Sequence, residues 1–426
     1  MKVLLLGAGG VGEAYASHIH KWKGKTDWCE LLVIADYNVE KAKAVAERLN
    51  DPRIVPEFID ATKKEDIVAM GKKYGVEMIV TCLDLEPFNV ITMNACLELG
   101  VHYLDCGFHN CERDPNNPLI ITKMPGEDQL ALSDQFEEKQ LYACCACGVE
   151  PGMIDYFARY AEQYLFDELE EMGVRDGSNF ESPESDMPFA FSIYQTITEA
   201  SRGPIYWEKD KGFYSKPPMS DPEDFWLPKG IGMTRMVACK HSEPMNMARH
   251  IGKGLQRTNF KIAFGLTFED SLKTLQTLGL ATSNKLNVKG VEVSPIDVIA
   301  AAAPEMADVG LSMVGKTCSG LWVKGKKDGM ERQVYLYQVA DNEECVELLG
   351  CPAVPAETAC TPVIVTGLIA EGKIVGPYGA RVSEEFACEP VLTQIADYGF
   401  PAGLLEMESE YREYLEAQNF LAPMMK

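Results

Sequence analysis

The chain is expected to fold as an α/β protein, a doubly wound parallel sheet joined to a second α+β domain containing a mainly antiparallel sheet. Three observations lead there. From Lys2 to Cys147, apolar runs alternate with helix-period segments, as successive βαβ units require. The glycine-rich stretch Gly7-Ala8-Gly9-Gly10-Val11-Gly12 follows the first apolar run without a break. Beyond Gly148 the alternation stops, and short strand-like runs lie between Pro- and Gly-rich stretches. That composition suits an antiparallel sheet.

Lys2–Leu6 reads as the first strand. Gly7 allows a tight turn, Gly9 lets backbone approach a pyrophosphate, and Gly12 lets helix and strand pack closely. Gly10 and Val11 open a helix whose free N–H groups and partial positive charge favour phosphate. Leu31–Ala35 is the second strand, ending in Asp36 where a ribose diol would be gripped. Strand, glycine turn, helix, strand and acid together form the Rossmann dinucleotide-binding fingerprint. The interval from Gly7 to Asp36 exceeds the usual ~20 residues, and the excess is assigned to a surface insertion around Lys21–Glu30.

Helices follow at Asn38–Leu49, Lys64–Tyr74 and Pro87–Leu99, and strands at Arg53–Asp60, Glu77–Cys82, Val101–Asp105 and Gln140–Cys147. Ligands of such sheets lie at the carboxyl ends of the strands. Asp60, Ala61, Thr81, Cys82, Leu83, Asp105 and Cys106 are therefore candidate cofactor contacts, although some would only cap helices. Cys144-Cys145-Ala146-Cys147 contains a CxxC within an apolar run. It reads as core cysteines in a buried strand, so no metal site is expected.

Gly148–Gly152 is a turn, followed by an amphipathic helix at Met153–Phe166. Strands are expected at Glu168–Val174, Phe189–Ile197, Met233–Ala238 and Phe260–Phe264, then helical patterns over 268–304. Lys316–Val339 reads as a hairpin turning at Lys326–Gly329. Pro355–Ile369 is apolar and in part helical, with Pro362 as an interruption, and helices Glu389–Tyr398 and Leu404–Gln418 complete the chain. The division expected is 1–150 for the nucleotide, 151–354 for substrate and dimer contacts, and a helical segment 355–426 returning to the first domain.

Composition narrows the function. A net charge of −24 argues against nucleic acid or anionic membranes as partners and mildly favours cationic solutes. No apolar run reaches the ~18 residues of a membrane span. Fourteen cysteines without a secretory signal suggest reduced thiols in the cytoplasm.

Several stretches resemble the saccharopine dehydrogenase family: the GAGGVG opening, the IDAT turn (Ile59–Thr62), CLELGVHYLDCG (Cys96–Gly107), CGVEPGMIDYFARY (Cys147–Tyr160) and TGLIAEGKIVGPYGARVSEEF (Thr366–Phe386). The resemblance implies a Rossmann domain, an inserted substrate domain carrying the contacts of a homodimer, and a C-terminal return. It also implies hydride exchange between NAD(P) and a carbon–nitrogen bond of an amino-acid derivative. Saccharopine dehydrogenases, lysine 6-dehydrogenases and carboxynorspermidine synthases are members. The acid before Pro-Gly is often Asp in the family; here it is Glu150, which keeps the charge.

Oxidation at a C–N bond builds positive charge, which a nearby carboxylate stabilises. Glu150 is the best-placed carboxylate, for catalysis and for holding the substrate nitrogen; the alternative role for an acid before a helix is that of a cap. His241 is a candidate acid or base because histidine titrates near neutrality, and Arg235 a candidate fork for a substrate carboxylate. The substrate is expected to be a small amino acid or amine. A nucleotide-binding sensor that lost the chemistry stays open, since fold does not fix function.

Asp36 is followed by Tyr37 and Asn38, with no adjacent arginine to hold a 2′-phosphate. NAD is therefore expected to be preferred, with NADP possible through Lys41 or Lys43. Asp36→Ser should erode the preference, because a carboxylate there bonds a free diol and repels phosphate. Equal kcat/KM for the two cofactors in the unmutated protein would refute this.

Overall fold

The computed structural model describes residues 1–83, 88–108, 111–183, 191–303 and 306–418. Seven parallel strands form the first sheet, in the spatial order Gly379–Arg381, Tyr142–Cys144, His102–Asp105, Met78–Thr81, Lys2–Leu6, Leu31–Asp36, Ile54–Phe58. The chain first moves outward from Lys2–Leu6 to one edge, then crosses to build the other half. Lys2–Leu6 and Met78–Thr81 thus flank the switch point, where ligands of such sheets bind. Leu4 pairs in register with Val33 on one side and Ile79 on the other. All three are fully buried, as a sheet covered on both faces requires.

Helices Gly10–Lys21, Val39–Leu49, Lys64–Tyr74 and Phe88–Leu99 cover this sheet. Asn38 caps the second, its side-chain oxygen accepting from the Glu40 N–H at 3.2 Å, and Gly75 ends the third in the left-handed region at φ +63°. Pro87, expected to open the fourth, lies outside the described residues.

The second sheet has nine strands. Its main path runs Gly212–Ser215, Ile205–Glu208, Arg257–Ala263, Glu168–Ser178, Lys316–Lys327, Met330–Asp341, Ala402–Glu406, with the hairpin Glu223–Leu227/Gly232–Ala238 attached to Arg257–Ala263. All pairings are antiparallel except that of Arg257–Ala263 with Glu168–Ser178.

The expected strand Gln140–Cys147 shortens to Tyr142–Cys144. The expected helix Glu389–Tyr398 divides into Glu389–Leu392 and the 3-10 turn Ile395–Tyr398. Four further expectations change. Ile193–Ser201 is a helix, not the end of a strand, and Phe189 lies outside the described residues. Ser192 caps it, and Ile197 and Ala200 fall on its buried side, so helical spacing prevails over alternation. Residues from Leu404 do not begin a helix: Ala402–Glu406 adds an edge strand to Met330–Asp341, and the helix starts at Glu410 behind the Ser409 cap. The C-terminal segment therefore feeds both sheets, Gly379–Arg381 joining the first and Ala402–Glu406 the second. Third, Pro362 does not interrupt its helix. Ala353–Ala370 is continuous, long and apolar enough to match a membrane span, with 89% of that window buried inside the molecule.

The fourth change concerns Lys21–Glu30. Thr26 and Cys29 are buried, Trp22 packs edge-on to Tyr398 at 6.0 Å, and a Cβ at Gly367 would stand 2.6 Å from Trp28 Nε1. The insertion docks the C-terminal segment. Buried His18 completes that contact: Trp22 Nε1 donates to His18 Nδ1 at 3.1 Å. The ring proton is therefore on Nε2, which donates to the Ala356 carbonyl at 2.9 Å.

Burial pushes the His18 pKa down to about 4, against the Ala356 hydrogen bond. Between ~6.5, the ordinary value, and about 4, the unfolded chain binds more protons than the native one. Stability from this group is therefore lost as pH falls through that window. His18→Gln keeps a donor and an acceptor but cannot titrate. Its stability loss from pH ~6.5 to ~4 should be smaller by about 2 kcal/mol. Parallel Tm–pH curves for the two proteins would overturn this.

Candidate active site

The glycine turn is built as a cofactor cradle. Gly7 has φ +99°, and a Cβ there would lie 2.9 Å from the Cys82 carbonyl oxygen. A Cβ at Gly12 would stand 1.9 Å from the Gly7 oxygen, whereas one at Gly9 would meet nothing within 4 Å. The turn is thus closed towards the sheet and open at Gly9, beside the helix that begins at Gly10. Asp36 Oδ2 accepts from the Ala8 N–H at 2.7 Å and Oδ1 from the Asn38 N–H at 2.7 Å. This ties the acid to the turn. The residues fit a dinucleotide: an open backbone, a helix amino end and an acid at the second strand end. Two nearby lysines are engaged, Lys43 with Glu40 at 2.8 Å and Lys63 with Asp60 at 2.9 Å.

A cavity of about 480 Å³ lies between the strand ends and the second sheet. Val11, Thr81, Cys82, Leu83, Asp105 and Cys106 line one side. The Asp105 carboxylate is consumed within the fold: it accepts from Asn89 and Tyr103 and from Gln129 and the Ala146 N–H, at 2.6–2.7 Å. It holds Ala146 at φ +56°, so its side chain organises the adjoining turn. Asp60 likewise accepts from Thr62 Oγ1 at 2.6 Å, and Ala61 is buried beside it. Neither of these two lines the cavity. Cys144, Cys145 and Cys147 are buried core thiols.

Glu150, Asp176, Glu199, Lys240, His241 and Glu357 line the opposite side. The turn that presents Glu150 closes through Gly148 N–H to Pro151 O at 2.7 Å and Met153 N–H to Gly148 O at 3.0 Å. Gly152 sits at φ +133°, where a Cβ would be 2.2 Å from Gly148 O. The following helix, Met153–Tyr160, is capped by Asp155, whose Oδ2 accepts from the Gly152 N–H at 2.8 Å. Glu150 is therefore free of the capping role. One of its oxygens, Oε1, is buried with no hydrogen-bond partner among the described residues, and its carboxyl group contacts that of Asp176.

Two carboxyls in contact away from water cannot both ionise. Burial raises Glu150 well above the carboxylate range, with Asp176, Glu243 and Glu357 adding to it. Burial pushes Asp176 up to about 7, against the pull of His241 and the Glu150 hydrogen bond. The pair therefore holds at least one proton near neutral pH. Asp176 stands opposite Ser319 across the sheet, and Ser319 opposite Gln338. Glu357 reaches the same place from the helix Ala353–Ala370 and is itself raised by burial.

His241 stacks on Phe260 at 3.7 Å and 2°. Its Nδ1 lies 3.2 Å from Glu243 and its Nε2 3.6 Å from Glu199. Burial opposes its charge, but the two carboxylates outweigh it and hold the pKa at about 10. His241 is thus a fixed imidazolium at neutral pH rather than the acid or base that histidine's ordinary range suggests. Arg235 is exposed opposite Asp224 on the attached hairpin and does not line the cavity. Its neighbours Met236–Ala238 carry the buried end of that strand, leaving Arg235 at the solvent end. Lys240, buried, and Arg202 take the cationic places in the wall, with no carboxylate within 4.0 Å of either among the described residues.

Asp176, Glu199, Lys240, Glu243 and Glu357 are absent from the sequence expectations. Glu357 alone left a signal, as the single charge within an apolar helix. The others converge from a strand (Asp176), a loop (Lys240) and two helices (Glu199 and Glu243).

A glycine cradle at the switch point of a parallel sheet, facing a cavity with a protonated acid pair, defines an NAD(P)-binding oxidoreductase. Comparison with known proteins agrees. The model of the saccharopine dehydrogenase NADP binding domain matches residues 3–144, and that of the saccharopine dehydrogenase C-terminal domain matches 148–400. The chain belongs to the saccharopine dehydrogenase family. It is 26% identical over 403 residues to carboxyaminopropylagmatine dehydrogenase of a Synechocystis strain, covering 94% of this chain and 96% of that one. It is 26% identical over 424 residues to carboxynorspermidine synthase of Vibrio cholerae, covering 96% and 98%. In fold it is similar to apo saccharopine dehydrogenase (L-Glu forming) from Saccharomyces cerevisiae, with TM-score 0.68, 13% identity and coverage of 96% and 100%.

Glu150→Gln, which keeps the shape but cannot hold or release the proton of the pair, should lower turnover by ~10²-fold, with NADH affinity and Tm near normal; unchanged rates would remove Glu150 from the chemistry. For Asp176 the native pKa lies above the unfolded one. The native state therefore binds the extra proton between ~3.9 and about 7, and stability falls as pH rises through that window. Asp176→Asn should accordingly compare more favourably with the unmutated protein in Tm at pH ~8 than at pH ~5. The same Tm difference at both pH values would refute it.

Proposed function

We propose that this protein catalyses the NAD-linked reductive joining of an amine to the carbonyl of an amino-acid derivative, and its reversal. In this reading residues 1–150 bind nucleotide and 151–354 bind substrate. The favoured amine is a diamine or polyamine, and the product a secondary amine ending in an amino-acid group. The observation that carries it is the set of carboxyl groups in the wall, Glu150, Asp176, Glu199 and Glu357: the buried ones are held protonated while no cation is beside them and would ionise next to an ammonium group, so a cationic substrate supplies the partner they lack. An opine with several carboxylates needs converging cations, whereas a chain of ammonium groups needs carboxylates. The names of the two curated relatives, each an amine chain bearing a carboxyl group, support the same choice. Saccharopine is the second reading, supported by the family itself.

When bound, the nicotinamide supplies or accepts hydride at the C–N carbon. The chain's own residues do the rest. Glu150 keeps its proton near neutral pH, and Asp176, titrating near 7, is matched to giving a second proton to the hydroxyl that leaves as water. The remaining negative charge beside Glu150 favours the iminium carbon that results. Lys240 and Arg202 offer the cations for the amino-acid carboxylate. Asp36 grips a free ribose diol, the basis for NAD over NADP.

The test is NADH and NADPH oxidation by purified protein with a panel of lysine, saccharopine and diamine–carbonyl pairs. Turnover should be greatest with a diamine and an amino-acid semialdehyde. Turnover with saccharopine or lysine alone, and none with any diamine pair, would overturn the proposal.

A further inference from the structure

We propose that Cys82 and Cys106 are a modification site in the cofactor cleft: they close to a reversible disulfide, with a hydroperoxide as oxidant, and in that state the cleft does not accept the nicotinamide nucleotide. Thr81 and Asp105 are Cα partners in the parallel pairing of their strands. Cys82 and Cys106 are the next residue on each. Neighbouring strands lie about 4.8 Å apart, inside the 4.4–6.8 Å range for the Cα atoms of bridged cysteines. The Cys82 thiol, and then burial, hold the Cys106 thiol well above the ordinary thiol range, so Cys82 is the sulfur placed to attack the oxidant first.

Their surroundings set them apart. Every other cysteine is buried except Cys111, whereas Cys82 and Cys106 are only part-buried and both line the cavity. Cys82 is also held against the nucleotide turn. Its N–H donates to the Leu6 oxygen at 2.8 Å, its carbonyl oxygen limits Gly7, and its Cβ would lie 3.8 Å from a Cβ at Gly12. Drawing its sulfur to Cys106 therefore shifts the residue that bounds the glycine turn, where the dinucleotide would be held. A bound cofactor, lying over the strand ends, conversely covers both sulfurs.

The chemistry balances without a metal. One thiol sulfur attacks a peroxide oxygen and the O–O bond breaks, giving a sulfenic acid and one water. The second sulfur attacks the first, forming the S–S bond and releasing a second water. Two thiols lose two electrons and two protons, and the peroxide is reduced to two waters. Reduction runs by attack of an external thiolate. Disulfides in reducing compartments are transient and often redox-sensing, which suits a pair at a cleft rather than in a core.

The experiment uses the full-length protein, reduced and freed of thiol. NADH binding is first measured by fluorescence, so that a failure of the cofactor reading appears as no binding before any oxidant is added. Protein is then treated with stoichiometric hydrogen peroxide, with and without saturating NADH, and mapped after alkylation under non-reducing conditions. A Cys82–Cys106 linked peptide, loss of NADH binding restored by dithiothreitol, and slower linkage in the presence of NADH are expected. Cys82→Ser and Cys106→Ser, each compared with itself before and after peroxide, should show no peroxide-induced loss of binding. Linkage of other cysteines, over-oxidation of one thiol without a link, a linked protein that still binds NADH, or serine variants as sensitive as the parent would each overturn the proposal.

Discussion

The helix Ala353–Ala370 has no face that it can give to water, and the molecule is assembled around that constraint. Its apolar residues are buried on every side, so it must be enclosed by other elements. Gly10–Lys21 of the nucleotide unit packs along it, and the strands Lys316–Lys327 and Met330–Asp341 of the second sheet close over it. One hydrophobic cluster consequently runs from Val3 and Leu5 through Ala359 and Val363 to Leu321 and Val334. Two sheets that share one core cannot drift apart, and the cavity between them has walls of fixed spacing. The same helix brings Glu357 to that cavity, a carboxylate held where solvent cannot relax around it.

The buried acids are the electrostatic counterpart of this packing. Glu150, Asp176 and Glu357 gather where burial disfavours charge, an arrangement that opposes stability and that folds keep at functional sites. A second buried pair, Asp155 with Glu384, lies outside the cavity wall, burial pushing Glu384 up to about 7. His241 moderates the cluster: Glu199 and Glu243 on either side keep it charged, and it draws the Asp176 pKa down. A wall of this kind keeps a proton near neutral pH and would release it beside a cation, a property that amine chemistry uses.

Legibility followed locality. The opening βαβ unit was readable almost residue by residue because its glycines answer to contacts within the turn and the neighbouring strand, as at Gly7 and Gly12. Lys64–Tyr74 was readable because an amphipathic period and a terminal glycine act within a few residues. Ala402–Glu406 was misread as helix because its strand state comes from pairing with Met330–Asp341, a partner remote in sequence. The Lys21–Glu30 insertion does lie at the surface, but its docking role was not readable because the residues that cover its apolar side, Tyr398 and Gly367, lie near the other end of the chain.

The amino-acid sequence by itself determined the nucleotide cradle, the acid at Asp36, the change of architecture after Gly148 and the position of Glu150 on a sharp turn. Each depends on interactions among near neighbours, which residue type and spacing encode directly. Tertiary structure alone decided which groups meet Glu150: Asp176 from a strand, Glu357 and Glu199 from two helices, Lys240 and His241 from one loop. It also moved His241 out of histidine's usual titration range and left Arg235 in solvent. Burial and charge–charge coupling are properties of the assembled site, set by distances between residues far apart in the chain, and no local pattern carries them.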